Sequence, residues 1–148
     1  MLLFAVVVGL YSSIIFLEDS GIKQNPEYLY NKARSAYRQG QFKQALYYLE
    51  RCQLVWDGYN VQLLKGDILR HLYTAKRKDS SVFLERAEDC YRLSAYMCPN
   101  RLAPLEGLLY IYKTRHDKYR FTIVGNIIKS KQAKVNSKET FRIKQLVK

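Results

Sequence analysis

The side chains best suited to chemistry in this chain, its histidines and cysteines, are few and scattered. His71 and His116 are the only histidines, and neither has Cys, Asp or Glu partners at a repeated metal-ligand spacing. Cys52, Cys90 and Cys98 are odd in number and show no Cys-x-x-Cys spacing. We therefore expect three free thiols that are buried as small apolar residues, rather than a metal site or a disulfide framework.

Acidic residues form one local cluster. Glu85, Glu88 and Asp89 occupy a single predicted helix, and Arg86 and Arg92 alternate with them. This pattern predicts a solvated face of ion pairs, with Glu88 and Arg92 at the favourable i, i+4 spacing. The sequence contains neither a phosphate-binding glycine loop nor a Gly-x-Ser-x-Gly nucleophile elbow. It thus predicts a protein that is not an enzyme and has no cofactor.

Small and aromatic residues recur at a spacing that resembles the tetratricopeptide repeat (TPR), a helix pair whose apolar face is covered by the next pair. The predicted packing positions are Ala33, Ala36, Tyr37, Gly40, Phe42, Ala45, Leu49, Cys52, Gly66, Ala87, Tyr91, Ser94, Pro99, Leu105 and Tyr112. The predicted fold is therefore all-α: a TPR-like, right-handed stack of about three helix pairs, closed by a C-terminal helix.

Helix boundaries follow from caps and breakers. Helices are predicted over residues 27–39, 42–55, 59–73, 102–114, 118–130 and 138–147, and another runs from a cap at Ser80 or Ser81 to about residue 97. The polar stretch 74–81 is longer than a TPR turn requires. His116 occupies a turn where glycine is usual. Ser137 is predicted to cap the last helix, with Phe141 on its apolar side.

The first seventeen residues, 1–17, carry no charged side chain. As a helix they would span about 25 Å, slightly less than a ~30 Å hydrocarbon core. The segment lacks the basic start and the Ala-x-Ala-like site of a secretory signal. It therefore favours a retained membrane helix, followed by a linker over 18–26 and a TPR-like domain over 27–148. A cleaved signal and a buried soluble helix are the alternatives.

Positive charge is concentrated at the C-terminal end. The net charge is +12, and residues 113–148 hold eleven Lys or Arg against two acidic residues. This end predicts a basic surface formed by Lys129, Lys131, Lys134, Lys138, Arg142 and Lys144. Such a surface could contact anionic lipid if the chain is tethered to a bilayer, or it could simply be a solvated face. Nucleic acid is disfavoured because most of the thirteen tyrosines lie on the predicted packing helices.

One ordered set of short motifs resembles a more specific family. These are Pro99-Asn100-Arg101-x-x-Pro104-Leu105, then Ile111-Tyr112, Ile127-Ile128-Lys129 and Lys134-Val135-Asn136-Ser137. They resemble the TPR tail that closes O-antigen ligase and polymerase-related membrane proteins of some Gram-negative bacteria. The resemblance covers residues 28–146 and the apolar segment in front. The family's polytopic domain, which carries its chemistry, has no counterpart here, so the resemblance assigns no catalytic residue.

Two functions are compatible with this resemblance. One is a membrane-anchored scaffold that binds a protein partner in surface-polysaccharide assembly, as a tail-only relative or a fragment of a ligase. The other is an exported, free-standing TPR adaptor without a role in glycan assembly. Lys23, Lys32, Arg34 and Arg38 follow the apolar segment, so the positive-inside rule favours a single-pass inner-membrane protein with a cytoplasmic TPR domain. A signal-anchor interpretation places that domain in the periplasm instead.

Overall fold

The computed structural model describes residues 25–75, 81–131 and 138–147. These residues are 82% helical and contain no strand, which confirms the all-α prediction. The helices within these ranges are α1 (Pro26–Arg38), α2 (Phe42–Gln53), α3 (Tyr59–Ala75), α4 (Ser81–Met97), α5 (Ala103–Thr114), α6 (Lys118–Ser130) and α7 (Lys138–Gln145). The chain divides into two compact units, of which the first ends at Trp56 and the second begins at Asp57.

The described part of the first unit is a helical hairpin of α1 and α2. Asn25 caps α1, because its side-chain oxygen accepts a hydrogen bond from the Glu27 amide at 2.9 Å, and Pro26 stands at the first helical turn. The Cys52 thiol donates to the Pro26 carbonyl at 3.2 Å and joins the end of α2 to the start of α1. The hairpin core consists of Leu29, Ala33, Ala36, Ala45, Leu49 and Cys52.

The second unit is built from α3 to α7. Helices α3 and α4 form a second hairpin, α4 packs on α5, α5 forms a third hairpin with α6, and α7 rests on α6. Its largest fully buried side chains are Tyr91, Ile68, Leu69, Ile111, Ile128, Ile143 and Val61. The order of hairpins agrees with the prediction, whereas their arrangement as a TPR stack stays a prediction.

The same turn closes the first and third hairpins, 76 residues apart. Gly40 has φ 74°, and its amide and the next amide donate to Tyr37 O at 3.0 Å and Ala36 O at 2.9 Å. His116 has φ 57° and repeats these bonds with Lys113 O at 3.1 Å and Tyr112 O at 2.9 Å. The predicted substitution of histidine at a glycine position is therefore observed, in the left-handed region that glycine adopts most readily.

Most predicted helix boundaries lie within two residues of the observed ones, and α6 matches its prediction. One assignment on α7 is wrong. Phe141 was expected on the apolar side, but it is 68% exposed, and Ile143, two positions later, is 1% exposed and faces the interior. The helix is short, and its single buried turn is selected by packing against α6 rather than by hydrophobicity alone.

The predicted packing positions differ in burial. Thirteen lie at buried or half-buried sites: Ala33, Ala36, Ala45, Leu49, Cys52, Gly66, Ala87, Tyr91, Ser94, Leu105 and Tyr112 are buried, and Phe42 and Tyr37 are half-buried. Tyr37 contacts the Phe42 ring with centroids 5.9 Å apart. Gly40 and Pro99 are exposed because both lie in turns, where their role is conformational rather than packing.

Several sequence predictions lie outside the described residues: the apolar segment 1–17, most of the linker, Ser80, Lys134 and the Ser137 cap. Within residues 25–75, 81–131 and 138–147, no helix is both long enough and apolar enough to cross a membrane.

Candidate functional site

Tyr91 is the central side chain of the second unit. It is fully buried on α4, between Gly66 of α3 and Gly107 of α5. A Cβ atom at Gly66 would lie 2.7 Å from the Tyr91 ring, and one at Gly107 would lie 2.5 Å from it. The ring therefore fills the space that two missing side chains leave, and it fixes α3, α4 and α5 with respect to one another.

The Tyr91 hydroxyl reaches the edge of this core and orients an acid there. It donates to Oδ1 of Asp67 on α3 at 2.7 Å. Burial raises the pKa of Asp67 above its ordinary value, and this effect outweighs the opposing influence of the Tyr91 hydrogen bond and of Arg70. Asp67 is therefore a positioned, partly desolvated carboxyl group whose side chain is 30% exposed.

Arg70 lies one turn further along α3 and links it to α5. Its Nη2 is 3.7 Å from Oδ1 of Asp67, and its guanidinium carbon stands 5.0 Å from the centre of the Tyr110 ring. Its Nε is buried and has no hydrogen-bond partner among the described residues. An unmet donor beside an aromatic ring is costly unless another group supplies an acceptor.

Glu106 and Arg142 extend the same surface to α7. The two guanidinium nitrogens of Arg142 donate to the two carboxylate oxygens of Glu106 at 2.6 and 2.7 Å. Glu106 lies one turn before Tyr110 on α5. Asp67, Arg70, Tyr110, Glu106 and Arg142 thus form a continuous series across α3, α5 and α7, which we call the charged row.

A second polar cluster corrects the sequence interpretation of Glu88. This carboxylate is not part of a solvated ion-pair face with Arg92, because it is 6% exposed. It accepts a hydrogen bond from the Tyr112 hydroxyl at 2.9 Å, and it pairs with Arg115 and, at 3.4 Å, with Arg120. The partners lie 24 to 32 residues away, so that Glu88 joins α4 to α5 and to the start of α6.

The same cluster shifts the pKa of the Tyr112 hydroxyl. Burial, followed by the hydrogen bond to Glu88, raises the pKa of the Tyr112 hydroxyl to about 12. The Arg120 guanidinium lies 5.7 Å from the Tyr112 ring centre and opposes that rise. The cluster is satisfied by its own members, which makes it a structural connection between helices rather than an open site.

The other residue types considered for chemistry are separated from one another. None of the three cysteines forms a disulfide in the described residues; Cys52 and Cys90 are buried and Cys98 is half-buried. Burial raises the pKa of the Cys90 thiol to about 11. Burial also lowers the pKa of His71, whereas His116 is exposed. Among the described residues, no three His, Cys, Asp or Glu side chains are placed to hold a metal ion.

The predicted basic surface is distributed over two helices. Lys129 is exposed and Lys131 half-buried at the end of α6, while Lys138 is exposed and Lys144 half-buried on α7. Arg142 is exposed as well, but its charge is paired with that of Glu106. Among the residues of this surface that the structure describes, the unpaired positive charge therefore comes from the lysines.

Sequence reasoning missed Asp67, Arg70, Gly107 and Glu106 as participants in a site. One signal was present: each buried tyrosine of α4 and α5, Tyr91 and Tyr112, bonds an acid that lies 24 residues earlier. A pair of this kind can be recognised in a sequence when an acidic residue lies on the apolar face of one helix and a tyrosine follows it, 24 residues later, on the next helix.

Comparison with known proteins gives no assignment for this arrangement. No family model matches the chain, and no match was found among the curated proteins or the solved structures.

Proposed function

We propose that this protein is a non-catalytic scaffold that binds a protein partner along the charged row. One observation carries the proposal: half-buried groups of both charges and an aromatic ring are aligned on α3 and α5, the exposed Arg142 of α7 extends them, and one arginine donor among them is unmet. A row of this kind offers a partner chain hydrogen-bonding groups and an aromatic ring for stacking. These contacts serve binding and do not involve a reacting group. Buried aromatic and arginine side chains are the usual anchors of protein interfaces.

The geometry of the row favours a segment that carries both charges. Asp67 and Glu106 offer acceptors, and Arg70 and Arg142 offer donors, within a surface bounded by the Tyr110 ring. The acidic and basic groups of the row balance one another, so the row has little net charge to attract a partner. A partner would instead be recognised by the order of its own charges, which must complement the order of charges along the row.

Site-specific photo-cross-linking in cells tests the row. Lys113 is exposed on α5, one turn after Tyr110, and is a suitable position for the photoreactive residue. Glu85, exposed on α4, is the matched control. We expect a discrete cross-linked partner from position 113 that disappears when Arg142→Ala is added. Cross-linking of the same partner from position 85, or insensitivity to Arg142→Ala, would contradict the proposal.

The proposed scaffold is tethered to the bacterial inner membrane by residues 1–17, with the helical domain on the cytoplasmic side. The apolar composition of that segment and the basic residues after it support this proposal. The full-length chain should remain with membranes after carbonate or high-salt extraction, whereas a chain that begins at Gln24 should be soluble. N-terminal sequencing of the mature protein that finds residues 1–17 removed would favour the exported adaptor instead.

The proposed pathway is the ligation or assembly of O-antigen or another surface polysaccharide. Its support is the sequence resemblance of residues 28–146 to the tail of ligase-related proteins. Deletion of the gene should alter the length distribution or amount of surface polysaccharide on a lipopolysaccharide gel, and the full-length gene should restore it. An unchanged ladder in the deletion strain would remove the link to glycan assembly but not the scaffold proposal.

A further inference from the structure

Helix α6 presents an apolar stripe on the side that faces away from the protein. Phe121, Val124 and Ile128 point inward and are half-buried or buried. On the outer side, Tyr119 is 77%, Ile123 41% and Ile127 39% exposed. The i, i+4, i+8 spacing of these three residues places them in one line along the helix. A two-turn line of exposed tyrosine and isoleucine is unusual on a helix whose opposite face already supplies the core.

Positive charge lies on both sides of the stripe, although exposed Thr122 and Asn126 separate it from the lysines on one side. Lys118 and Lys129 are eleven residues apart, which is three helical turns, and both are exposed. Lys131 follows the helix and lies near the opposite border. From residue 118 to residue 131 the sequence has no acidic residue, and Asp117 before it is engaged as the N-cap, where it accepts from the Arg120 amide at 2.9 Å.

We propose that the outer face of α6 is a membrane-contact surface that lies in the headgroup region of an anionic bilayer. Tyr119, Ile123 and Ile127 would enter the boundary between headgroups and acyl chains, and Lys118, Lys129 and Lys131 would contact lipid phosphates. An apolar line between lysines, with an aromatic residue among it, is the composition of helices that lie in a membrane interface. A second protein could also cover an apolar line. The stretch from residue 118 to residue 131, however, contains lysines and no acidic residue, and this charge is complementary to an anionic membrane surface.

This surface is separate from the charged row and does not require residues 1–17 to be an anchor. The stripe lies on α6, whereas the row lies on α3, α5 and α7. Contact through α6 would leave the row accessible to a protein partner. The two proposals therefore fail independently.

A fluorescent reporter placed in the stripe tests the contact in the full-length chain. Trp56 is the only tryptophan, so Trp56→Phe removes the background and Tyr119→Trp places the reporter in the stripe. The matched control is Tyr96→Trp in the same background, because Tyr96 is 84% exposed on α4. Each chain is reconstituted with vesicles of phosphatidylcholine alone or of equal parts phosphatidylcholine and phosphatidylglycerol.

We expect the emission at position 119 to shift to the blue and to be quenched by brominated lipid in anionic vesicles only. The emission at position 96 should do neither. Raising the ionic strength from about 0.1 M to about 1 M shortens the Debye length from ~10 Å to ~3 Å and should reverse the shift. Replacing Lys118, Lys129 and Lys131 by Gln should lower the equilibrium constant for docking of the stripe on the anionic surface, read from the shifted fraction of the emission, by about fivefold per lysine. Removing the same charge with Arg34→Gln, Arg38→Gln and Lys43→Gln, in the first unit, should leave the shift in place.

Three results would overturn the proposal. The first is an unshifted reporter at position 119 in anionic vesicles. The second is an equal shift at positions 96 and 119, which would report general association. The third is a reporter at position 119 that is already shielded from an aqueous quencher without vesicles, which would show that another part of the chain or a second copy covers the stripe.

Discussion

The clearest test of the packing between helices is Gly107→Ala. The added Cβ would stand 2.5 Å from the Tyr91 ring, whereas carbon atoms in ordinary contact are ~3.5–4.0 Å apart. The ring has little room to retreat toward α3, because it already fills the space in which a Gly66 side chain would begin. It must therefore leave its position or separate α4 from α5.

The expected cost combines three contributions. Overpacking of a filled core costs ~1–3 kcal/mol. Displacement of the Tyr91 hydroxyl from Asp67 costs ~1–2 kcal/mol, discounted because the Asp67 side chain is 30% exposed. Alanine in place of a helical glycine contributes ~0.5–1 kcal/mol in the opposite direction. The net expectation for Gly107→Ala is a loss of about 1–4 kcal/mol in the free energy of unfolding.

Gly125→Ala on α6 is the matched control. Its Cβ would meet only Val147, with the nearest carbon at 3.4 Å, so the helical gain of ~0.5–1 kcal/mol should appear without strain. Urea unfolding followed by far-UV circular dichroism measures both variants. A Tyr91→Leu background should remove most of the cost of Gly107→Ala, because the two residues are coupled. If Gly107→Ala were as stable as Gly125→Ala, the assignment of Tyr91 as the filler between two glycines would be wrong.

Three further outcomes are expected. Ala87→Leu should lose ~1–3 kcal/mol of unfolding free energy in the same assay, because Ala87 has no exposed surface; unchanged stability would count against its place between helices. Since the pKa of Tyr112 is raised from 10.0 to about 12, its contribution to stability is complete below pH 10 and is lost as the pH rises through 12; Tyr112→Phe should flatten that alkaline loss in pH-dependent unfolding. Near neutral pH, iodoacetamide should modify Cys98 before Cys90, because burial raises the pKa of the Cys90 thiol to about 11, and mass spectrometry of the labelled peptides would reveal the reverse order.

The elements that the sequence predicted correctly are those determined by local chemistry. Asn25-Pro26 starts a helix and Gly40 ends one, whatever packs against them, and both were predicted from residue type alone. The small residues Ala33, Ala45 and Ala87 were predicted to lie between helices, and all three are fully buried. Their short side chains leave space for a neighbouring helix, so their burial could be predicted without knowing which residue packs against them.

The predictions from sequence were wrong or incomplete for residues whose environment is determined by a contact with a residue far away in the sequence. Glu88 has Arg92 at the spacing of a surface ion pair, yet it shares the buried face of α4 with Leu84 and Tyr91 and takes its partners from α5 and α6. Gly107 looks like an unfavourable residue within a helix until the ring of Tyr91 is placed beside it. Hydrophobic periodicity identifies which face of a helix is buried, but only the folded structure shows which residue packs against that face.

The repeated turn has a consequence for how this architecture changes over evolutionary time. The bonds that reverse the chain at Gly40 and at His116 join backbone atoms only, so they place little demand on side-chain identity beyond the left-handed position. When residues 25–53 are set beside the residues 76 positions later, Leu29 and Leu105 are the only identical pair. Two hairpins within one chain thus share one turn geometry with almost no common sequence. A turn of this kind can therefore be kept while the residues around it change, because the backbone bonds that close it do not depend on those side chains.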